Sequence, residues 1–178
     1  MSDYDVVLLV EQALTAQDAA QVRSLHEDIE DPVLYHVLVP VEDSAARIEA
    51  GIGTLGTGEV MSAPVLLSDP DALHEMQNDL LDSARDSVKT SVAAIEASGG
   101  KAVGDLLSVD PIQGLAAKVS EVDAREAIIL TRPHVVSEFF HLDWTSRARR
   151  KLGVPVLHLL EQETFDEQAG EGEGISGL

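Results

Sequence analysis

The sequence predicts an α/β fold: one doubly wound domain built on a five-stranded parallel sheet with helices on both faces. Three observations lead there. Short, largely apolar, Val-rich runs recur along the chain, each long enough for a strand and suited to one covered on both faces of a parallel sheet. Amphipathic stretches with capping signals separate those runs. Strands alternating with helices require right-handed crossovers between parallel neighbours, which leaves a ligand-binding crevice at the carboxyl ends of the strands.

Taken in order, Val6 to Val10 is the first buried strand. Thr15 with Asp18 three residues on forms a capping box, and Ala19, Val22 and Leu25 follow at helical spacing before the Asp31-Pro32 stop. Val33 to Val39 is the second strand, closed by Pro40 and the Glu42-Asp43 pair. Glu42 to Ala50 can form a short helix, but Gly51, Gly53, Gly56 and Gly58 then break any period, so residues 42–68 read as a long mobile loop.

Asp69 is placed as an N-cap and Pro70 as the first residue of a long helix carrying Leu73, Met76, Leu80, Ala84, Val88, Val92 and Ile95 on one face, ending at Gly99-Gly100. Ala102 to Ser108 is the third strand. Asp110-Pro111 opens a helix with Ile112, Leu115, Ala116, Val119 and Val122, and Ala127 to Thr131 is the fourth strand. Phe139, Phe140, Trp144, Ala148 and Leu152 mark a last helix, and Val154 to Leu160 the fifth strand, assigned to an edge because Pro155 lacks a backbone donor. The domain is expected to cover residues 1–161; residues 162–178 form an acidic, glycine-rich tail expected to be disordered.

Composition narrows the function. The 178 residues hold 12 Lys and Arg against 32 Asp and Glu, a formal net charge of −20. Such a field repels phosphate backbones and anionic lipid headgroups, which argues against nucleic-acid and membrane-surface roles. The acidic surface also fits salt adaptation, and charge alone does not separate the two. The absence of Cys excludes disulfides, thiolate metal sites and cysteine nucleophiles. MSDYDV lacks a basic leader region and the apolar runs are too short to span a bilayer, so a soluble, cytoplasmic protein is expected.

The order of elements, together with VLYHVLVPVED, the long helix after an open loop, GLAAKVSEVDAREAIILT and SRARRKLGVPVLHLL, resembles the universal stress protein family over residues 4–161. The resemblance implies a five-stranded parallel sheet, an adenine-nucleotide crevice as in many members, and association of two chains. Nucleotide-binding members carry Gly-x2-Gly-x9-Gly-Ser/Thr after the fourth strand, where glycines let backbone amides reach phosphate oxygens. Here no glycine occurs between Gly114 and Gly153, and the corresponding stretch holds Phe139, Phe140, Asp143 and Trp144, which obstruct or repel a triphosphate.

The resemblance therefore implies a nonenzymatic regulatory or stress-response protein, acting as a homodimer through association with an unidentified protein partner and needing no cofactor. The alternative is a divergent sensor of ATP or AMP using Val10, Glu11, Val39, Thr131, Arg132, Thr145 and Ser146, with Glu11 at the acidic position beneath the adenosine. Val154, Val156, His158 and Leu160, alternating along the edge strand, form the expected dimer surface.

Other patterns are weaker. Gly51-Ile52-Gly53-Thr54-Leu55-Gly56 matches GxGxxG as a string, but lacks the strand before it and the helix after it that hold pyrophosphate. His134, Glu138 and His141 fall at i, i+4 and i+7, a possible metal-ligand face with no companion ligands evident. His36 and His158 sit within apolar strands and read as packed, hydrogen-bonded residues. Arg147, Arg149, Arg150 and Lys151 suit the C-terminal turn of the last helix. No pairing of general base and nucleophile stands out, and no catalytic residue is assigned.

Overall fold

A computed structural model describes residues 4–41, 70–131 and 150–160. The chain runs β1 (Tyr4–Val10), α1 (Ala16–Ser24), β2 (Val33–Pro40), α2 (Pro70–Ala97), β3 (Lys101–Leu107), α3 (Pro111–Val122), β4 (Glu126–Thr131) and β5 (Val156–Leu160). The strands form one sheet in the order β3-β2-β1-β4-β5, and every neighbouring pair is parallel. The expected doubly wound architecture is therefore present. The loop expected at 42–68 with its glycine string, the start of the last helix and the tail at 162–178 lie outside the described residues. Residues 150–152 are helical.

β1 is buried on both faces, as its unbroken apolar run requires. Val6, Leu8 and Val10 join Tyr35, Val37, Val39, Ile128, Leu130 and Leu159 beneath α1 and α2. Val7 and Leu9 join Leu38, Ala127, Ile129 and Val156 on the other face, beneath α3 and Leu152. The side chains alternate between two cores because strand periodicity is two.

The capping box of α1 is complete. Thr15 Oγ1 accepts from the Asp18 amide (3.2 Å), and Asp18 Oδ2 accepts from the Thr15 amide (2.9 Å). The helix stops sooner than the apolar spacing suggests. Leu25, read as part of the buried stripe, is the C-cap and 37% exposed, while the His26 amide bonds back to the Arg23 carbonyl in a tighter turn.

α2 starts at Pro70 as expected and ends in a left-handed turn at Gly99, φ +87. The Gly99 and Gly100 amides bond to the Glu96 and Ile95 carbonyls at 2.9 and 3.0 Å, closing the helix end. At 28 residues, α2 is about 42 Å long by its rise per residue, against about 23 Å for a seven-residue strand. Its second half lies on β2 and β3, burying Ala84, Ser91 and Ile95; Asp71, His74, Glu75 and Asp79 in its first half are exposed.

Helix and strand lie close together at Gly104 of β3, where a Cβ would lie 2.4 Å from Val88 Cγ1 and 3.0 Å from Val92 Cγ2. Asp110 caps α3 by accepting from the Ile112 and Gln113 amides. Asp123 ends it in the left-handed conformation, φ 52, which a short polar side chain tolerates. Lys118 of α3 reaches Asp105 of β3 at 2.9 Å, and that hydrogen bond raises the ammonium pKa against the opposing effect of burial.

β5 departs from expectation at its start. The strand begins at Val156 rather than Val154, and Pro155 lies before it, its carbonyl accepting from the Ala127 amide at 3.0 Å. The proline thus needs no edge position for its own sake, since it makes no ladder bond as donor. The strand order itself places β5 at the edge. No helix among the described residues is long and apolar enough to cross a membrane.

Gly104→Ala is expected to destabilise the protein by about 1–3 kcal/mol through overpacking against Val88. Urea denaturation of Gly104→Ala and of the Gly104→Ala/Val88→Ala pair checks this: the second change should recover part of the loss, because it removes the clashing methyls.

Candidate functional site

The sheet order reverses between β1 and β4: β2 and β3 lie to one side of β1, β4 and β5 to the other. Parallel sheets of this kind bind ligands beyond the carboxyl ends of the strands at that reversal, because the flanking loops diverge there. Val10, Glu11, Val39 and Thr131 all fall along this edge, as expected of residues ending β1, β2 and β4.

Their side chains divide by face. Val10 and Val39 are buried in the core beneath α1 and α2, so at the crevice they present backbone. Glu11 continues the ladder one step past β1, its amide donating to the Leu130 carbonyl at 3.3 Å. The loop that follows is tied down at depth: the Leu14 amide donates to Ser91 Oγ of α2 at 2.9 Å, both residues buried. On the far side, the Val41 amide donates to the Leu107 carbonyl at 2.8 Å, so β2 and β3 also stay paired to the rim.

Thr131 closes β4 and is 6% exposed. Its hydroxyl lies 2.8 Å from Nε2 of His158 on β5. Burial pushes the His158 pKa down, which favours the neutral ring. A neutral Nε2 that accepts the Thr131 hydroxyl proton accounts for the contact. The sequence assigned these residues to separate tasks, Thr131 to nucleotide and His158 to the dimer surface, and the structure joins them as one pair.

The four residues of the expected dimer surface are placed as follows. Val156 is 5% exposed and packs into the core beneath α3, with Val154 partly buried against the same cluster. His158 and Leu160 are half-buried, each two residues further along the strand. Arg132, Thr145, Ser146, His134, Glu138 and His141 lie outside the described residues. Among the described residues, no group of three or more His, Asp or Glu side chains could hold a metal ion.

The opposite, amino-terminal edge carries polar pairs. His36 Nε2 contacts Asp5 Oδ1 at 2.7 Å, in keeping with its reading as a packed, hydrogen-bonded histidine. On the other face His26 contacts Glu126, Tyr35 and the Val22 carbonyl. Sequence reasoning missed His26 altogether. Its partner is 100 residues away, and no spacing reveals a contact created by the β1–β4 register, which sets Val6 opposite Glu126.

No protein-family model and no curated protein matches the sequence. Solved structures do match. A universal stress protein from Archaeoglobus fulgidus is 15% identical, with 88% of this chain and 93% of that one covered, at a TM-score of 0.51. UspA from Lactobacillus plantarum is 14% identical over 89% of this chain and 99% of that one, TM-score 0.54. Hypothetical protein MJ0577, the subject of a structure-based assignment of biochemical function, is 12% identical over 92% of this chain and 100% of that one, TM-score 0.60.

A depressed histidine pKa makes folding pH-dependent in one direction. The folded state gives up the His158 proton more readily than the unfolded chain, so this contribution is intact above the ordinary histidine range and lost as the pH falls below it. Stability measured by denaturant titration should therefore drop on acidification, and the drop should be smaller in His158→Gln.

Proposed function

We propose that this chain, which has the universal stress protein fold, is a nonenzymatic stress-response protein of the cytoplasm that works as a homodimer by associating with other proteins. One observation carries this reading against a nucleotide-dependent one. At the described rim of the crevice, Val10 and Val39 turn their side chains into the core, and the Thr131 hydroxyl is spent on His158. The ionisable side chain directly after β1 is a carboxylate, Glu11, which opposes phosphate. With bulky residues in place of the glycines at 132–146, a triphosphate would find little positive charge or open backbone.

Dimerisation is assigned to β5. It ends the sheet, so its outer backbone groups meet no further strand among the described residues, and such an edge invites pairing with a second chain. Leu157, His158 and Leu160 are half-buried within the protomer and gain cover from a partner.

The second reading is a divergent sensor of ATP or AMP. It rests on Glu11 standing directly after β1 and on the backbone of Val39 and Val41 reaching the rim, since main-chain contacts to adenine need no particular side chain.

Sedimentation velocity at micromolar concentration should give the mass of two chains; monomer alone would refute the β5 interface. Calorimetry with ATP and magnesium should show no heat and no thermal shift. Absorbance near 260 nm released from the purified protein on denaturation would favour the sensor.

A further inference from the structure

The sheet has a second free margin, opposite β5. The strand order leaves β3 at that end, and among the described residues no strand lies beyond it. Its two faces differ. Ala102, Gly104 and Leu106 turn towards α2 and are partly covered, whereas Lys101, Val103 and Asp105 share the other face and are exposed, Val103 to 45%.

The direction of the backbone groups follows from the register. The Leu107 carbonyl accepts from the Val41 amide, so residue 107 turns its polar groups towards β2. In a strand the amide and carbonyl of one residue point to the same side, and that side alternates along the chain. Lys101, Val103 and Asp105 therefore bond to β2, while Ala102, Gly104 and Leu106 present their amides and carbonyls outward.

This edge is complementary to itself. When two copies of β3 run antiparallel about a two-fold axis at Val103, Ala102 lies opposite Gly104 of the second copy, and both residues of that pair have outward groups to exchange. Val103 then meets Val103 of the second copy. Lys101 meets Asp105 on each side of the axis, in the non-hydrogen-bonded pairs where facing side chains come closest. Both charges are available: Lys101 makes no ion pair among the described residues, and Asp105 keeps 54% of its side chain exposed while Oδ2 holds Lys118 at 2.9 Å. Moving the axis to residue 102 or 104 sets Lys101 against Val103 or Leu107 and leaves Asp105 against Gly99 or Val103, so only the Val103 axis matches the charges.

We propose that β3 is a second self-association edge, weaker than β5, which joins two copies of this chain antiparallel through Val103 with Lys101 and Asp105 paired across the axis. The pairing stands on the β3 residues alone and does not require β5 to pair. With both edges in use, dimers join end to end through two different two-fold contacts.

The chain has no cysteine, so a single introduced thiol reports the axis. In full-length Val103→Cys the two thiols face each other within disulfide reach. Mild oxidation is carried out in about 0.15 M salt, which screens the repulsion between two chains of net charge −20 beyond about 8 Å. A covalent dimer on a denaturing gel should form many times faster than from Val109→Cys, whose valine is 57% exposed but lies outside the strand. Both valines are exposed, so neither exchange disturbs the core. Adding Lys101→Glu to Val103→Cys opposes two carboxylates on each side of the axis and should slow cross-linking by about tenfold. The native mass of the cross-linked product separates the two edges: four chains if β5 also pairs, two if it does not, and either mass supports the β3 contact. The proposal is overturned if Val103→Cys cross-links no faster than Val109→Cys, or if Lys101→Glu leaves its rate unchanged.

Discussion

The structure depends on the burial of β1 on both sides. Its five residues from Val6 to Val10 are all in the core, and its backbone is bonded to β2 on one flank and β4 on the other. A segment so enclosed cannot hold a buried side chain that lacks a partner, and its polar neighbours are accordingly confined to the ends. Tyr4 and Asp5 stand at one end and Glu11 at the other. The two helical layers exist to cover the two faces of this strand, and the reversal of strand order beside it creates the crevice.

Polar chemistry therefore collects at the two edges of the sheet, with different characters. At the carboxyl edge, hydrogen bonds extend the ladders past the strand ends and tie the β1–α1 loop to Ser91 of α2, giving a rigid rim. At the amino edge, His26–Glu126 and His36–Asp5 sit on opposite faces, so β1 is bracketed from above and below at the same level. The two Tyr rings pack against the buried His26 ring, while Glu126 keeps about a fifth of its side chain exposed.

Much of this fold was legible because its signals are local. The Val-rich runs, the Thr15–Asp18 box, the Asp110 cap and the Gly99 exit each work within a few residues, and all but the start of the fifth run stand where they were expected. Leu25 was misread because spacing alone does not show that the helix tightens and stops one turn early. Pro155 was misread because an apolar run does not reveal where ladder bonding begins. Gly104 and His26 carried no readable sign, since their roles arise from the approach of α2 to β3 and of α1 to β4. For the candidate site, the residues ending the strands were identified, yet the pairing of Thr131 with His158 depends on the β4–β5 register and was not.

The central strand also precedes every one of its neighbours among the described strands. β4, which completes its second flank, lies more than a hundred residues later in the chain. At ribosomal speeds of about 5–20 residues per second, the newborn β1 waits on the order of ten seconds with an unsatisfied apolar margin. Throughout that interval one flank of the strand lacks its partner, and the net charge of −20 carried by the full sequence opposes close approach of a second growing polypeptide.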